Sequence, residues 1–121
     1  MGTNIVLPHD HSHVGEEFFK QIPSEEQVGA VAEAMKQLGD PTRLRIFWIL
    51  CHCEECVTDI AAMIQMSSPA VSHHLRLLKS SGLITSRREG KEMYYTAAGS
   101  PLAQKLHHTI EEIGNIACPE K

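Results

Sequence analysis

Residues 57–95 constrain the fold most, because they carry signals for two short helices and then a hairpin. Apolar side chains at helical spacing in residues 60–66 predict the first helix. Ser67, Ser68 and Pro69 predict the start of the second helix, since a serine hydroxyl can accept from unpaired amides and proline suits the first turn. Gly82 is expected to end that helix in a left-handed conformation. This order is typical of a helix-turn-helix followed by a β-hairpin wing.

The outward face of the second predicted helix carries short hydrogen-bonding groups near its start and cations farther along. Residues 83–86 and 93–96 are extended in character and enclose a turn, 87–91, that holds three cations. Small polar groups suit base edges in a major groove, whereas longer cations suit phosphates. We therefore expect the following residues to contact DNA: Ser67, Ser68, Ser72, His73, Arg76, Lys79, Arg87, Arg88 and Lys91.

The distribution of charge supports this interpretation, although the whole chain has a formal net charge of −4. Residues 67–95 hold five cations and two carboxylates, a local net charge of +3. Residues 1–40 hold seven carboxylates and two cations, a local net charge of −5. Phosphate contact depends on the local patch rather than on the total. A patch of this modest size predicts that tight binding needs two copies of the chain.

Three segments resemble the ArsR/SmtB family of small bacterial repressors: PTRLRI at 41–46, SPAVSHHLRLLKSSGLI at 68–84 and REGKEMYY at 88–95. The resemblance covers about residues 24–117. It implies a mainly α fold with a β-hairpin wing (α+β), a homodimeric winged helix-turn-helix that binds double-stranded operator DNA. It also implies release from the operator by an inducer, usually a metal ion and sometimes a sulfur or redox signal.

The 121 residues are enough for one domain with one core. Residues 1–14 show no helical or strand period, and we expect them to form a mobile arm before a domain at 15–121. A Ser-x-x-Gln capping box predicts a helix over about 24–38. A central, buried helix should begin at Pro41, because its apolar residues occupy nearly the whole circumference of the helix. A last helix is predicted over 101–117, and in the family this helix forms much of the dimer interface.

The segment Cys51-His52-Cys53-Glu54-Glu55-Cys56 is the main candidate for a metal site. Soft thiolates favour zinc, cadmium, lead or monovalent copper over hard cations. Cys51 and Cys53 would point about 200° apart in a continuous helix, so chelation by both requires the helix to end near Cys51. In the alternative interpretation, Cys51 is a small core residue and Cys53 and Cys56 have no role.

Imidazoles offer further metal ligands at both ends of the chain. His9, His11 and His13 would lie on one side of an extended arm, where they could bind zinc, cobalt, nickel or copper. The alternative is a solvated polar tail. On the last predicted helix, His107 and His108 each precede a glutamate by four residues, which suits either a metal or a solvent-facing ion pair. The terminal thiol of Cys118 is a further candidate ligand.

The resemblance helps to choose among these metal candidates. In the cadmium- and lead-sensing branch of the family, a Cys-x-Cys pair opens the helix after the loop; Cys56 matches its first thiol and Thr58 stands at its second. In the sulfur-sensing branch, one cysteine lies in the preceding helix and one in the last, which Cys51 and Cys118 resemble. The zinc-sensing branch places ligands on the last helix, at positions occupied here by other residues: Gly99, Pro101, Glu112 and Asn115.

These observations predict a repressor released from DNA by a metal ion, with zinc, cadmium or lead favoured and nickel or copper as further candidates. The alternative is the same repressor switched by thiol oxidation or persulfide. An enzyme is not expected, because no general base or substrate pocket is evident, and neither is a small-molecule substrate. No apolar run approaches twenty residues, so no membrane span is expected. Four cysteines without paired spacing indicate a reducing cytoplasm.

Overall fold

The computed structural model describes residues 8–9 and 13–119, and in the first helix the side chains of residues 15 and 17–19. Most of the predicted arm at 1–14, including His11, lies outside the described residues. The chain divides into two compact units, Met1–Ala32 and Glu33–Lys121. Each unit is described by itself below.

The first unit contains the helix α1, His13–Phe19, and the beginning of α2, Glu25–Gln37. Ser24 caps α2 as the sequence predicts. Its Oγ accepts from the Gln27 amide at 3.1 Å, and the Gln27 side-chain oxygen accepts from the Ser24 amide at 3.0 Å. This reciprocal pair satisfies two amides that the helix start leaves without an intrahelical partner.

The second unit contains the helix-turn-helix, the wing and two flanking helices. Together these give the mainly α fold with a small antiparallel sheet that the sequence predicts. After the end of α2, the elements in chain order are α3 (Pro41–His52), β1 (Glu55–Cys56), α4 (Val57–Ile64), α5 (Ser68–Ser80), β2 (Ile84–Glu89), β3 (Glu92–Ala97) and α6 (Pro101–Gly114).

One capping device starts three of these helices. The side chain of Asp40 accepts from the Arg43 amide at 2.9 Å to begin α3. Ser67 accepts from the Ala70 amide at 3.3 Å to begin α5, and Ser100 starts α6 in the same way. A proline follows within two residues of each cap, where its fixed φ suits the first turn and its missing N–H costs no hydrogen bond.

Left-handed residues set the turns around the second helix of the pair. Gln65 ends α4 at φ 57°, and Gly82 follows α5 at φ 76°, as the sequence predicts. Gly90, at φ 62°, makes the tight turn of the wing. Glycine adopts this region without steric cost, whereas other L-residues enter it at a cost of roughly 1–2 kcal/mol.

The sheet has three strands in the order β1-β3-β2, one more than the predicted hairpin. The wing strands pair antiparallel from Ile84 opposite Ala97 to Glu89 opposite Glu92. The additional strand, β1, pairs with β3 and places Glu55 opposite Tyr95. The cysteine-rich segment is therefore attached to the base of the wing through backbone hydrogen bonds.

The core forms around α3, whose Ile46, Phe47 and Leu50 are almost fully excluded from solvent. This confirms the prediction that the helix beginning at Pro41 is central and buried. The inward face of α5 is also the predicted one, made by three buried side chains: Val71, Leu75 and Leu78. Among the described residues, no helix is both long enough and apolar enough to cross a lipid bilayer.

The last helix is shorter than predicted. It ends at Gly114 instead of Ala117, because Asn115 adopts a left-handed conformation at φ 52° and caps the helix through its amide. Asparagine tolerates this conformation better than most residues, which is why it can replace glycine at a helix end. The residues from Ile116 onward leave the helix axis.

We predict that Ser67→Ala lowers the free energy of unfolding by about 1 kcal/mol, because the Ala70 amide loses its capping acceptor. Chemical denaturation of the full chain at fixed concentration measures this change. Ser68→Ala is the matched control, since Ser68 is exposed and the Ser67 cap remains; its effect should stay within about 0.5 kcal/mol. Equal effects of the two substitutions would contradict the assignment of the cap.

Candidate functional site

The outer face of α5 is polar and exposed. Ser67, Ser68, His73, Arg76 and Lys79 are exposed, and Ser72 is half-buried. The serines lie at the start of the helix and the cations in its later turns, which is the order expected from the sequence. This face can present short hydrogen-bonding groups and longer cations to one groove of a duplex.

The wing continues this surface. Lys79 on α5 donates to Ser86 Oγ on β2 at 2.6 Å, which links the helix to the wing. Arg88 and Lys91 flank the exposed turn at Gly90. Neither cation has an ion-pair partner within the part of the chain that the structure describes, so both are available to an external anion.

Arg87 differs from the other wing cations because two carboxylates hold it. Its guanidinium donates to both oxygens of Glu54, at 2.6 and 2.9 Å, and to Glu89 at 2.8 Å. It also lies 5.2 Å from the ring centre of Tyr94. The bond from Arg87 lowers the pKa of the Glu54 carboxyl, and those to Glu54 and Glu89 raise the pKa of Arg87. Arg87 therefore ties the wing to the cysteine-rich segment, and a phosphate would have to compete with Glu54.

A polar contact also fixes α5 to the start of α3. Arg43 Nη1 lies 3.1 Å from His74 Nδ1, and His74 Nδ1 lies 3.9 Å from the Asp40 carboxylate. Desolvation is the largest influence on the His74 imidazole and lowers its pKa, which favours the neutral form. Arg43 can therefore donate to His74 while the Asp40 side chain caps α3.

The three clustered cysteines occupy different environments. Cys51 is half-buried and adjoins a cavity of about 190 Å³. Cys53 caps the end of α3 with its Sγ donating to the Ile49 carbonyl at 3.3 Å, whereas Cys56 is buried in β1. Helix α3 does end near Cys51, as chelation by that pair requires. Even so, across the described residues these thiols do not form a group of three or more ligands.

Burial also affects the reactivity of these thiols. Desolvation, with a smaller contribution from the Glu111 charge, raises the pKa of Cys51 to about 12. Desolvation likewise raises the pKa of Cys53, with Glu55 adding to the shift. Since the thiolate is the nucleophile and the metal ligand, both thiols are less reactive than an ordinary cysteine at neutral pH.

The predicted histidine ligands are described to different extents. His9 is exposed, His11 lies outside the described residues, and His13 begins α1 with its side chain outside them as well. His108 is exposed on α6, and its ring stacks on that of His107 with the centroids 5.2 Å apart. Of the predicted imidazoles, His107 joins a cluster of ligand groups.

That cluster brings together His52 at the end of α3, His107 and Glu111 on α6, and Cys118 beyond α6. One ligand atom from each of the four side chains lies within 4.8 Å of all the others. His52 Nε2 lies 3.1 Å from Glu111 Oε2 and 3.0 Å from His107 Nε2. His107 Nε2 lies 3.0 Å from the same glutamate oxygen, and Cys118 Sγ lies 3.8 Å from His52 Nδ1.

The glutamate at the centre of this cluster is held as a carboxylate. Desolvation acts to raise the pKa of Glu111, but hydrogen bonds from His107, Trp48 and His52 together leave it below its ordinary value. Trp48 contributes through its indole N–H, which donates to Glu111 Oε2 at 3.1 Å. An anion beside two imidazoles and a thiol is a donor set suited to a divalent cation.

Sequence reasoning named His107 and Glu111 as a possible pair of ligands but missed His52 and Trp48 as their partners. The spacing of His107 and Glu111, four residues apart, is visible in the sequence, and the structure makes that pair a partly buried one rather than a solvent-facing one. His52 lies within the cysteine-rich segment, where the thiols were predicted as the metal ligands. No sequence signal connects α3 to α6, because they meet only in the folded chain.

An open apolar groove of about 250 Å³ lies beside the cluster. Trp48 is half-buried and lines this groove. Near it, α6 exposes Ile113, whose residue surface is 83% accessible. The other residues that line the groove come from α3, α6 and the segment after α6: Leu44, Arg45, Ile49, Ile110 and Ile116.

Known proteins resemble the chain in both sequence and structure. The family described as "Bacterial regulatory protein, arsR family" matches residues 40–86. The transcriptional repressor SmtB homolog of Synechocystis is 42% identical over 78 residues, which cover 64% of this chain and 59% of the relative. A cadmium resistance regulatory protein CadC homolog of Staphylococcus aureus is 46% identical over 67 residues, 54% of this chain and 55% of that protein. The chain thus spans little more than half the length of these two relatives.

A longer match settles the family. The HTH-type transcriptional repressor SmtB of Mycobacterium tuberculosis is 30% identical over 112 residues, 88% of this chain and 83% of the relative. The solved homodimeric winged helix-turn-helix DNA-binding domain of a possible ArsR-family regulator from Mycobacterium bovis is 30% identical, with a TM-score of 0.68. The match covers 81% of this chain and 93% of the Mycobacterium bovis chain. The chain therefore belongs to the ArsR/SmtB family of winged helix-turn-helix transcriptional regulators, and not to a family of enzymes.

Proposed function

We propose that this protein is a homodimeric repressor that binds operator DNA through α5 and the wing, and that a metal ion lowers its affinity for the operator. The exposed polar and cationic face of α5, continued by Arg88 and Lys91 on the wing, is the observation that carries the DNA-binding part. A repressor must reach chromosomal DNA, so the proposal includes a cytoplasmic location.

The DNA-facing residues divide into two sets by their surroundings. The exposed groups near the start of α5 suit base edges, because a recognition helix inserts its first turns into the major groove. Arg76, Arg88 and Lys91 suit phosphates, which supply most of the salt-dependent affinity. Arg87 is a positioning residue in this scheme, since Glu54 and Glu89 already neutralise it.

Exposed apolar side chains support dimerisation. Leu102 and Ile113 are exposed on α6, Ile116 is exposed just after it, and Val31 and Met35 are exposed on α2. Single exposed apolar residues are ordinary, but several on one helix next to a groove indicate an interface. A homodimer also doubles the small cationic patch, as its modest charge requires. The solved Mycobacterium bovis relative is described as a homodimer.

A metal is favoured over thiol oxidation as the effector. The cluster of His52, His107, Glu111 and Cys118 assembles donors that zinc-class ions prefer. Oxidation would instead need nucleophilic thiolates, and burial raises the pKa of both Cys51 and Cys53. The Staphylococcus aureus relative, which is named for cadmium resistance, also favours a metal effector. The ion acts by binding more tightly to the form that does not fit the operator.

We predict that Arg76→Ala weakens binding to a DNA duplex, selected beforehand from a random pool, by roughly tenfold. The slope of log affinity against log salt concentration should become shallower by about one, because one phosphate is no longer neutralised. Fluorescence anisotropy over a range of salt concentrations measures both quantities. Lys105→Ala is the matched control, because Lys105 is an exposed cation on α6 rather than on the DNA-facing surface. If Arg76→Ala binds like the control, the DNA-facing surface is assigned wrongly.

We predict that zinc, added to the reduced protein, releases the same duplex, whereas a persulfide donor under metal-free conditions does not. The measurement is anisotropy in parallel titrations with zinc, cadmium, lead, nickel, copper and the persulfide donor. A chelator should restore binding, because metal release is reversible without a reductant. Release by the persulfide donor alone would reverse the assignment and identify a thiol switch.

A further inference from the structure

Three ligand atoms in the His/Glu/Cys cluster form a nearly equilateral triangle. The separations among His52 Nε2, His107 Nε2 and Glu111 Oε2 are 3.0, 3.0 and 3.1 Å. The side chains of these residues are only 12–16% exposed. Three donors from two helices thus converge on one point that is largely shielded from water.

Hydrogen bonding alone fits this triangle poorly. If both imidazoles donate from Nε2 to Glu111 Oε2, their two N–H hydrogens are forced into close contact, because the two Nε2 atoms are only 3.0 Å apart. Two unprotonated Nε2 atoms at 3.0 Å would instead oppose their lone pairs. A cation near the centre of the triangle, by contrast, can accept a lone pair from each of the three ligand atoms.

The spacing suits a zinc-class ion. Bonds of about 2.0–2.1 Å to nitrogen or oxygen in a tetrahedral site place neighbouring ligand atoms roughly 3.3 Å apart. The triangle is a few tenths of an ångström smaller than this, a difference that small side-chain rotations can remove. Hard cations such as magnesium take oxygen ligands and more of them, so two imidazoles exclude that class.

Cys118 supplies the fourth donor. Its Sγ lies 3.8 Å from His52 Nδ1, on the side of the ring away from the triangle. The residue is exposed and follows the left-handed turn at Asn115, so the thiol can move toward the triangle without disturbing the core. A single thiolate with two imidazoles and a carboxylate favours zinc over cadmium or lead, which prefer several sulfur ligands.

We infer that His52, His107, Glu111 and Cys118 of one chain bind a single divalent cation of the zinc class, and that this is the effector site of the repressor. The second part rests on the proposed function; the first does not. The ion joins the end of α3 to α6 and fixes the segment after α6. None of the predicted ligands Cys51, Cys53 and Cys56 takes part.

Trp48 connects this site to the apolar groove. Its indole N–H donates to Glu111 Oε2, the oxygen that the cation would bind, and its ring centre lies 4.6 Å from that of His52. Trp48 also lines the groove together with Ile116, two residues before Cys118. Metal binding therefore alters the surroundings of an indole and a tail residue at the candidate dimer surface.

Cobalt(II) titration of the metal-free, reduced, full-length protein tests the site without DNA. We expect one cobalt per chain, the visible absorption of four-coordinate cobalt, a thiolate-to-cobalt band and a change in fluorescence of Trp48, the chain's one tryptophan. Zinc should displace the cobalt. Cys118→Ser should abolish the thiolate band. Glu111→Gln should weaken cobalt binding by at least roughly tenfold, because even the loss of a residue that only hydrogen-bonds to a ligand typically costs about 10–100-fold.

Matched variants separate this site from the others. His108→Gln alters the neighbouring exposed imidazole on α6, and Cys53→Ser alters an exposed thiol near His52; both should bind cobalt like the unchanged protein. Cys118 lies on an exposed tail, so Cys118→Ser remains informative if a substitution at His107 prevents folding. Retention of the thiolate band in Cys118→Ser, or its disappearance in Cys53→Ser, would overturn the site.

Operator release measured on the same variants distinguishes failure of the proposed metal site from failure of the proposed function. Cobalt binding with the expected spectrum but no release of DNA would leave the site in place and disprove its role as effector site. Zinc-driven release that persists unchanged in Glu111→Gln and Cys118→Ser would sustain the metal-responsive repressor and disprove this site. Release that is weakened in these two variants, and normal in His108→Gln, is the expected result.

Discussion

Burial of the central helix α3 is the constraint on which both the DNA-facing surface and the ligand cluster depend. Ile46, Phe47 and Leu50 are almost completely excluded from solvent, and burial of each such side chain stabilises the fold by roughly 1.5–3 kcal/mol. The same helix contacts the sheet, where Thr96 Oγ1 donates to the Leu50 carbonyl at 3.3 Å. Because α5 and β3 both pack on α3, the recognition helix and the wing keep a fixed relation to each other.

The two ends of α3 serve different purposes. Its first turn holds the recognition helix through Arg43 and His74, and its last residue, His52, belongs to the ligand cluster. Twelve residues separate these ends by roughly 18 Å of rigid helix. A ligand that changes the position of His52 relative to α6 therefore acts on the same body that orients α5. Glu54, held by Arg87, gives the wing a second connection to the segment just after α3.

The sequence predicted what local chemistry determines. The cap at Ser67 and the left-handed Gly82 define the recognition helix by rules that span a few residues, so its bounds could be predicted. The strand β1 could not, because two residues show no period and it forms only by pairing with β3. Likewise, His52 precedes His107 by 55 residues, and only the packing of α3 against α6 brings their rings together. The density of cysteines directed the metal prediction to a segment whose thiols do not form a group of three or more ligands among the described residues.

The left-handed Asn115 has a consequence for the reach of the C-terminal thiol. Had α6 continued, Cys118 would follow Glu111 by seven residues on the same helix face, but roughly 10 Å farther along the axis. The left-handed Asn115 ends the helix instead, and the Cys118 sulfur lies 3.8 Å from His52 Nδ1. The number of donors in the cluster, three or four, is thus decided by a single residue that itself donates nothing.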